Sequence, residues 1–306
     1  MGVSSDKFSE IIEKGADKEL RAGTWAVYGK YRRRRPRNGE KYIEAPAYVD
    51  LHEKNERWEY EPLKEERYLF LEFARLADDH GLDTDSPNTE KNEAVALEWA
   101  ETHGVLGLTP AKGREAWWGE PQGGKDDTVA GFAYEALVAN STLRLYEAVT
   151  VDGEPDVEAI APFIASRHRG FLTSTPGVAR DWALEQVVRN VQDRVARYAY
   201  PQLYERPDGS FVQGWDFANL LGAMWLQMFW LLTADHKRRC DNWECNRIIA
   251  YEQPEQIASG LKRNDRSAGY STRADKAFCS KKCANRHYYL TVTKFKRQAA
   301  SSTARN

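Results

Sequence analysis

The chain has 306 residues, of which 42% are hydrophobic and 12% aromatic, including 10 tryptophans. This composition excludes extensive disorder and allows one large domain with a small one appended. The net charge of −2 hides an asymmetry. From Lys237 onward there are 16 lysines and arginines and 6 aspartates and glutamates, whereas the upstream residues include 28 lysines and arginines and 40 aspartates and glutamates. A basic end on an acidic body favours a polyanion partner, and docking of that end on the body is the alternative.

The first half of the chain predicts a small β element among helices. An amphipathic helix is predicted over 6–20, and strands rich in aromatic and β-branched residues over 24–31, 40–50 and 57–60. Asn38-Gly39 is a hairpin turn signal between the first two strands. The opening residues lack the basic and then apolar layout of a secretion signal, so we expect a cytoplasmic protein.

Helical periodicity dominates the rest of the body. The predicted helices cover 62–81, 90–103 with Gly104 as cap, 128–149 and 175–200. In the last of these, the residues expected on the buried side are Ala179, Trp182, Val188, Val191 and Val195. The turn at 207–210 then leads to an apolar helix. We therefore expect residues 1–235 to form one mostly helical domain, with a small β-hairpin element near 24–60.

The apolar stretch 217–234 is too short and too interrupted to predict a membrane span. It has 18 residues, among them Asn219 and Gln227, whereas a span needs about 20 residues of mostly apolar character. We expect a buried core helix and no membrane partner. A dimer interface, and hence a homodimer, is the alternative.

All four cysteines lie in the last quarter of the chain in two close pairs. Cys240 and Cys245 form one pair, Cys279 and Cys283 the other, and 33 residues separate the pairs. Two such pairs supply the four soft ligands of tetrahedral zinc. Cysteines one helical turn apart have Cβ atoms about 5–6 Å apart, too far for a disulfide, which needs about 3.5–4.5 Å. The spacing predicts a structural zinc site, with a redox pair as the alternative.

The order of elements around these cysteines is typical of a treble clef. A knuckle, a strand over 247–251 and a helix over 280–297, capped by Ser280, would form a zinc finger over 236–297, followed by a disordered tail over 298–306. One face of the helix is predicted to contact DNA phosphates and base edges through Lys282, Arg286, Tyr289 and Lys296. The face expected to pack on the hairpin comprises Ala284, Tyr288, Thr291 and Phe295. A merely solvated basic stripe is the alternative.

The runs RCDNWEC and FCSKKCANR, with the basic helix that follows, resemble the CGNR-type zinc finger. That finger ends bacterial proteins whose N-terminal helical domain is of the ABATE (stress-induced transcription regulator) kind. The resemblance implies metal ligation by the four cysteines and matches Asn285 and Arg286 to the motif's Asn-Arg, while Ala284 stands in place of its glycine. It also implies a DNA-binding regulator. The alternative is a protein-interaction or small-ligand-sensing module whose zinc finger is purely structural.

Other candidates are weaker in sequence. Arg32–Arg35 with Arg37 form either a second phosphate contact or a loop paired with acids, and Trp117-Trp118 either line a pocket for a small ligand or belong to the core. The chain contains no nucleophile elbow, phosphate loop, zincin or dinucleotide motif. No histidine lies between Cys245 and Cys279, where an HNH-type nuclease needs one. We therefore expect no catalytic residues and no enzyme.

Overall fold

The computed structural model of the protein describes residues 25–36, 39–45, 57–66, 69–83, 86–108, 126–150, 154–205, 211–233, 237–240, 242, 245, 247–250, 278 and 281–290. The helices in this part of the chain are α1 (Pro62–Glu65), α2 (Leu69–His80), α3 (Glu90–His103), α4 (Val129–Val149), α5 (Val157–Ile160), α6 (Ser166–Leu172), α7 (Pro176–Tyr198), α8 (Leu220–Thr233) and α9 (Lys281–Tyr288). The strands are β1 (Trp25–Tyr28), β2 (Arg32–Arg34), β3 (Tyr42–Glu44), β4 (Arg57–Tyr60), β5 (Asp126–Thr128), β6 (Ala199–Glu205), β7 (Phe211–Phe217), β8 (Lys237–Arg239) and β9 (Ile248–Ala250).

More of the described residues lie in helices than in strands, and the strands pair antiparallel into small sheets. The predicted mixture of helix with a small β element is therefore confirmed. Contacts group the chain into two units. The first comprises Met1–Leu143 with Val188–Phe229, and the second Arg144–Val187 with Trp230–Asn306. The domain boundary after residue 235 stays a prediction. The helix predicted over 6–20 and the tail predicted over 298–306 lie outside the described residues.

The first unit contains two small sheets near its N-terminus. β1 pairs with β4, and β3 lies between β2 and β5. The expected turn is present, since the Gly39 amide donates to the Pro36 carbonyl at 3.1 Å and Gly39 has φ 80°. The strands that it joins are β2 and β3, so the expected hairpin between 24–31 and 40–50 is wrong. The arginines of β2 make this pairing favourable, because Arg34 reaches Glu44 across the ladder at 3.3 Å.

The apolar stretch forms α8, whose residues from Leu220 to Met228 are all buried, as expected of a core helix. Its one interior polar side chain, Gln227, is fully hydrogen-bonded. The Gln227 amide nitrogen donates to the carbonyls of Pro62 and Glu66 at 3.0 and 2.7 Å, and its oxygen accepts from the Phe70 amide at 3.0 Å. A buried amide with these partners costs little, so the interruption seen in the sequence fixes α8 against α1 and α2. No helix among the described residues is long and apolar enough to cross a membrane.

α8 also passes very close to the end of α7. The Tyr198 carbonyl accepts from the Ala218 amide at 2.7 Å. A Cβ added to Gly222 would lie 2.8 Å from the Tyr198 carbonyl carbon, inside ordinary van der Waals contact. Glycine at this position therefore lets two backbones approach, as glycines do where helices cross closely.

α7 begins at Pro176 as predicted, with its buried residues at intervals of four. These residues are Ala179, Ala183, Val187 and Val191. The expectation that Val188 is buried is wrong, because this spacing places Val187 on the buried side and leaves Val188 44% exposed. The chain then runs into a hairpin of β6 and β7, which was not expected between α7 and the apolar helix.

The loop after α3 is held to the first sheets by a buried carboxylate. Asp127, on β5, accepts hydrogen bonds from the amides of Leu106 and Leu108, the latter at 2.8 Å. The Trp25 indole nitrogen donates to the Val105 carbonyl at 3.1 Å. Burial raises the pKa of Asp127 to about 7, although the hydrogen bonds that it accepts from backbone amides act to lower that pKa.

Candidate metal centre and nucleic-acid interface

Cys240 and Cys245 lie in the loop of a short hairpin formed by β8 and β9. The Cys240 amide donates to the Arg247 carbonyl at 3.0 Å, which extends the ladder by one pair. Inside the loop, the Cys245 amide donates to the carbonyl of the buried Asn242 at 2.7 Å. These two hydrogen bonds fold the loop into a knuckle with both cysteines on it. The strand predicted over 247–251 is confirmed as β9.

A third thiol reaches the knuckle from α9. The Sγ atoms of Cys240, Cys245 and Cys283 all lie within 4.8 Å of one another, and none of the three forms a disulfide. Sulfur atoms at about 2.3 Å from one tetrahedral zinc ion are about 3.8 Å apart, which lies inside that limit, so one ion could contact all three. Cys240 is only 5% exposed, and Phe278 packs against it together with the other two cysteines. The three thiols form a candidate metal centre.

The position of Cys283 in α9 favours metal binding. It is the third residue of the helix, so the first turn of α9 places its thiol beside the two thiols of the knuckle. Three of the four predicted ligands are thus brought together. The fourth, Cys279, and the predicted cap Ser280 lie outside the described residues.

The buried side of α9 differs from the expected one. Tyr288, expected to pack on the hairpin, is 60% exposed. The inward positions are Cys283, Ala284, His287 and Leu290, of which only Ala284 was expected on the packed face, and the His287 ring lies 5.1 Å from the ring of Phe278. Thr291 and Phe295, also expected on that face, lie outside the described residues. The helix is therefore turned so that the metal ligand itself lies on the packed side.

The residues predicted to contact DNA lie on the open side of α9, as far as they are described. Lys282, Arg286 and Tyr289 are exposed, and the Arg286 guanidinium lies 5.9 Å from the centre of the Tyr289 ring. Lys296 lies outside the described residues. With Lys281 and Tyr288 also exposed, this side of the helix carries three cations and two tyrosine rings, which suit phosphates and base edges.

The arginine run near the N-terminus is paired with acids. Arg35 contacts both carboxylate oxygens of the buried Glu93, at 2.7 and 3.3 Å, and Arg33 approaches the same carboxylate at 4.0 Å. Arg34 pairs with Asp126 at 2.8 Å. Of the two interpretations of this run, the structure favours the loop paired with acids, because these guanidinium groups already have counter-ions.

The remaining sequence candidate, Trp117-Trp118, lies outside the described residues, so the small-ligand pocket stays a prediction. The chain matches no protein-family model, no curated protein and no solved structure. What this protein does must therefore be inferred from its own residues.

Proposed function

We propose that this protein is a zinc-dependent DNA-binding protein, in which the metal fixes α9 to the β8–β9 knuckle and α9 contacts DNA. The observation that carries the proposal is the convergence of three thiols on one point at the start of a helix with a basic open face. One ion at that point would tie two distant parts of the chain together. Folding of so small a module would then depend on the metal.

Zinc is the metal that the ligand chemistry favours. Thiolate sulfur selects zinc, copper(I) and iron–sulfur clusters among the metals that proteins use, and a tetrahedral four-cysteine set is typical of structural zinc. We expect Cys279 to be the fourth ligand, because it directly follows Phe278, which packs against Cys240 as the other two cysteines do. When bound, zinc would supply a structural cross-link and no chemistry of its own.

DNA is the polyanion that the open face of α9 suits best. Lys282 offers a point charge for phosphate, and Arg286, steadied against the ring of Tyr289, offers a planar fork for a guanine edge. The excess of basic residues from Lys237 onward supports a polyanion partner. A role in transcription regulation rests on the resemblance to the CGNR-type finger.

The metal is tested by elemental analysis of the purified full-length protein. We expect about one zinc ion per chain, lost in Cys283→Ser and equally in Cys279→Ser, because three thiolates no longer close the tetrahedron. Ala284→Ser is the matched control, since it adds the same hydroxyl one residue away and keeps every thiol. Zinc content unchanged in both cysteine variants would overturn the proposed site.

The DNA contact is tested by comparing neighbouring lysines of α9. Lys281→Ala and Lys282→Ala remove the same charge from adjacent exposed positions, about 100° apart around the helix. We expect Lys282→Ala to weaken duplex binding and to reduce the salt slope by about 1, with a smaller effect from Lys281→Ala. Arg286→Ala should cost about 1–3 kcal/mol at a preferred site and less on random duplex. Equal affinities for all three variants and the wild type would remove α9 from the interface.

A further inference from the structure

The turn between α6 and α7 is a second basic surface, and it lies in the same unit as the cysteine cluster. Every residue from 165 to 171 is exposed, as is every residue from 174 to 178. Arg167, His168, Arg169 and Arg180 supply the basic groups, and the sequence contains no acidic residue between Glu158 and Asp181. We call residues 166–180 the α6–α7 tip.

The charges of this tip differ from those of the β2 arginines, because no counter-ion pairs with them in the part of the chain that the structure describes. Within the described part of the chain, Arg167, His168 and Arg180 form no side-chain hydrogen bond or ion pair. Arg169 donates only to the Ile164 carbonyl, at 3.3 Å. An unpaired guanidinium is poised for an external anion, because binding requires no internal ion pair to be broken.

The tip also exposes an aromatic ring. Phe171 is 75% exposed, whereas large apolar side chains are usually covered. The backbone around it is held in place, since Thr173 and Ser174 donate through their hydroxyls to the carbonyls of Arg169 and Phe171 at 2.7 and 2.6 Å. The exposed ring is thus a fixed feature of the turn.

We propose that the α6–α7 tip binds single-stranded nucleic acid, with Arg167, Arg169 and Arg180 on the phosphates and the Phe171 ring stacked on a base. Clustered cations beside an exposed aromatic ring are the combination that holds unpaired strands without reading sequence. A membrane surface suits the tip less well. Interfacial helices need a broad apolar face, and here only Phe171 and Val178 are exposed apolar side chains.

The test uses the full-length protein and a fluorescent 20-nucleotide oligo(dT), with anisotropy measured at several salt concentrations. Phe171→Ala should weaken binding about tenfold through loss of a stacked base, and Phe171→Trp should restore it. Arg167→Ala and Arg180→Ala should each reduce the salt slope by about 0.7, the value for one single-strand phosphate. Matched controls are Tyr134→Ala, another exposed aromatic residue, and Arg197→Ala, another exposed arginine.

The outcomes separate this surface from α9. Oligo(dT) affinity unchanged by Phe171→Ala, or lowered as much by Tyr134→Ala, would overturn the proposal. So would a loss caused by Lys282→Ala alone, because binding would then belong to α9. Conversely, normal duplex binding with impaired oligo(dT) binding in Phe171→Ala would support the tip, and it would do so even if α9 were shown not to contact DNA.

Discussion

At the scale of single residues, Asp127 is an acid whose environment is unusual. It is buried, it accepts from backbone amides of the loop after α3, and burial raises its pKa to about 7. An acid whose pKa is higher in the folded than in the unfolded protein binds its proton more tightly when folded. Between the unfolded value of about 3.9 and the folded value, this group therefore makes the protein less stable as pH rises.

Asp127 should accordingly impose a pH dependence that Asp127→Asn lacks. Between pH 5 and pH 7, the wild type should lose free energy of unfolding relative to the variant by up to about 1.4 kcal/mol per pH unit. Urea unfolding of both proteins at the two pH values measures the difference, in which other titrating groups cancel. A stability difference between the two proteins that stays constant over this range would mean that the carboxylate is already ionised in the folded protein, with its amide donors outweighing burial.

Glu93 shows the opposite behaviour of a buried acid. Its carboxylate forms ion pairs with Arg35 and, at 3.3 Å, with Lys41. Burial is the largest single influence and raises the pKa of Glu93, but the two cations together lower it below its usual value. Glu93 and Asp127 are thus buried acids with two different kinds of hydrogen-bond partner. Full charges lower the pKa of Glu93, whereas backbone amides alone leave the pKa of Asp127 raised by burial.

At the scale of elements, the crossing of α7 and α8 offers a sharp test of packing. Gly222→Ala would place a methyl group against the Tyr198 carbonyl, which is backbone and cannot rotate away. We expect a loss of about 1–3 kcal/mol in the free energy of unfolding, as for other overpacked sites. Thermal or urea unfolding measures it.

Gly177→Ala is the control for that experiment. Gly177 also lies in a helix, but no atom lies within 4 Å of where its Cβ would be. Alanine there should be neutral or should stabilise the protein by up to about 1 kcal/mol, because glycine loses more backbone entropy in a helix. If both variants changed the free energy of unfolding equally, the close approach of the two helices would not explain the glycine at position 222.

At the scale of the whole molecule, the sequence predicted those elements whose signals are local. Gly104 follows the last residue of α3, as predicted, and the structure adds the Thr89 side chain as an N-cap that accepts from the Asn92 amide. The cysteine spacing likewise predicted a cluster to which Cys240, Cys245 and Cys283 belong in the structure. Gly104 lies next to the helix end that it specifies, and the members of each cysteine pair lie within a few residues of each other.

What the sequence did not predict depends on contacts between distant residues. The segment Asp126–Thr128 has little strand propensity, and it is a strand because Asp127 pairs with Ile43 and closes the loop after α3. The inward side of α9 was misjudged because only the folded knuckle decides whether His287 or Tyr288 faces it. The α6–α7 tip escaped notice because whether an arginine has a counter-ion is visible only in three dimensions.

The discontinuity of both units has a consequence for how the protein is made. The first unit needs residues 188–229 as well as its N-terminal part, so it cannot close until the ribosome has passed position 229. By then Arg144–Val187 has already emerged without Trp230–Asn306, the other half of its own unit. Synthesis at about 5–20 residues per second leaves that interval open for several seconds. An N-terminal domain usually folds before the next domain is synthesised. This chain cannot follow that order, because each unit includes a segment that is synthesised late.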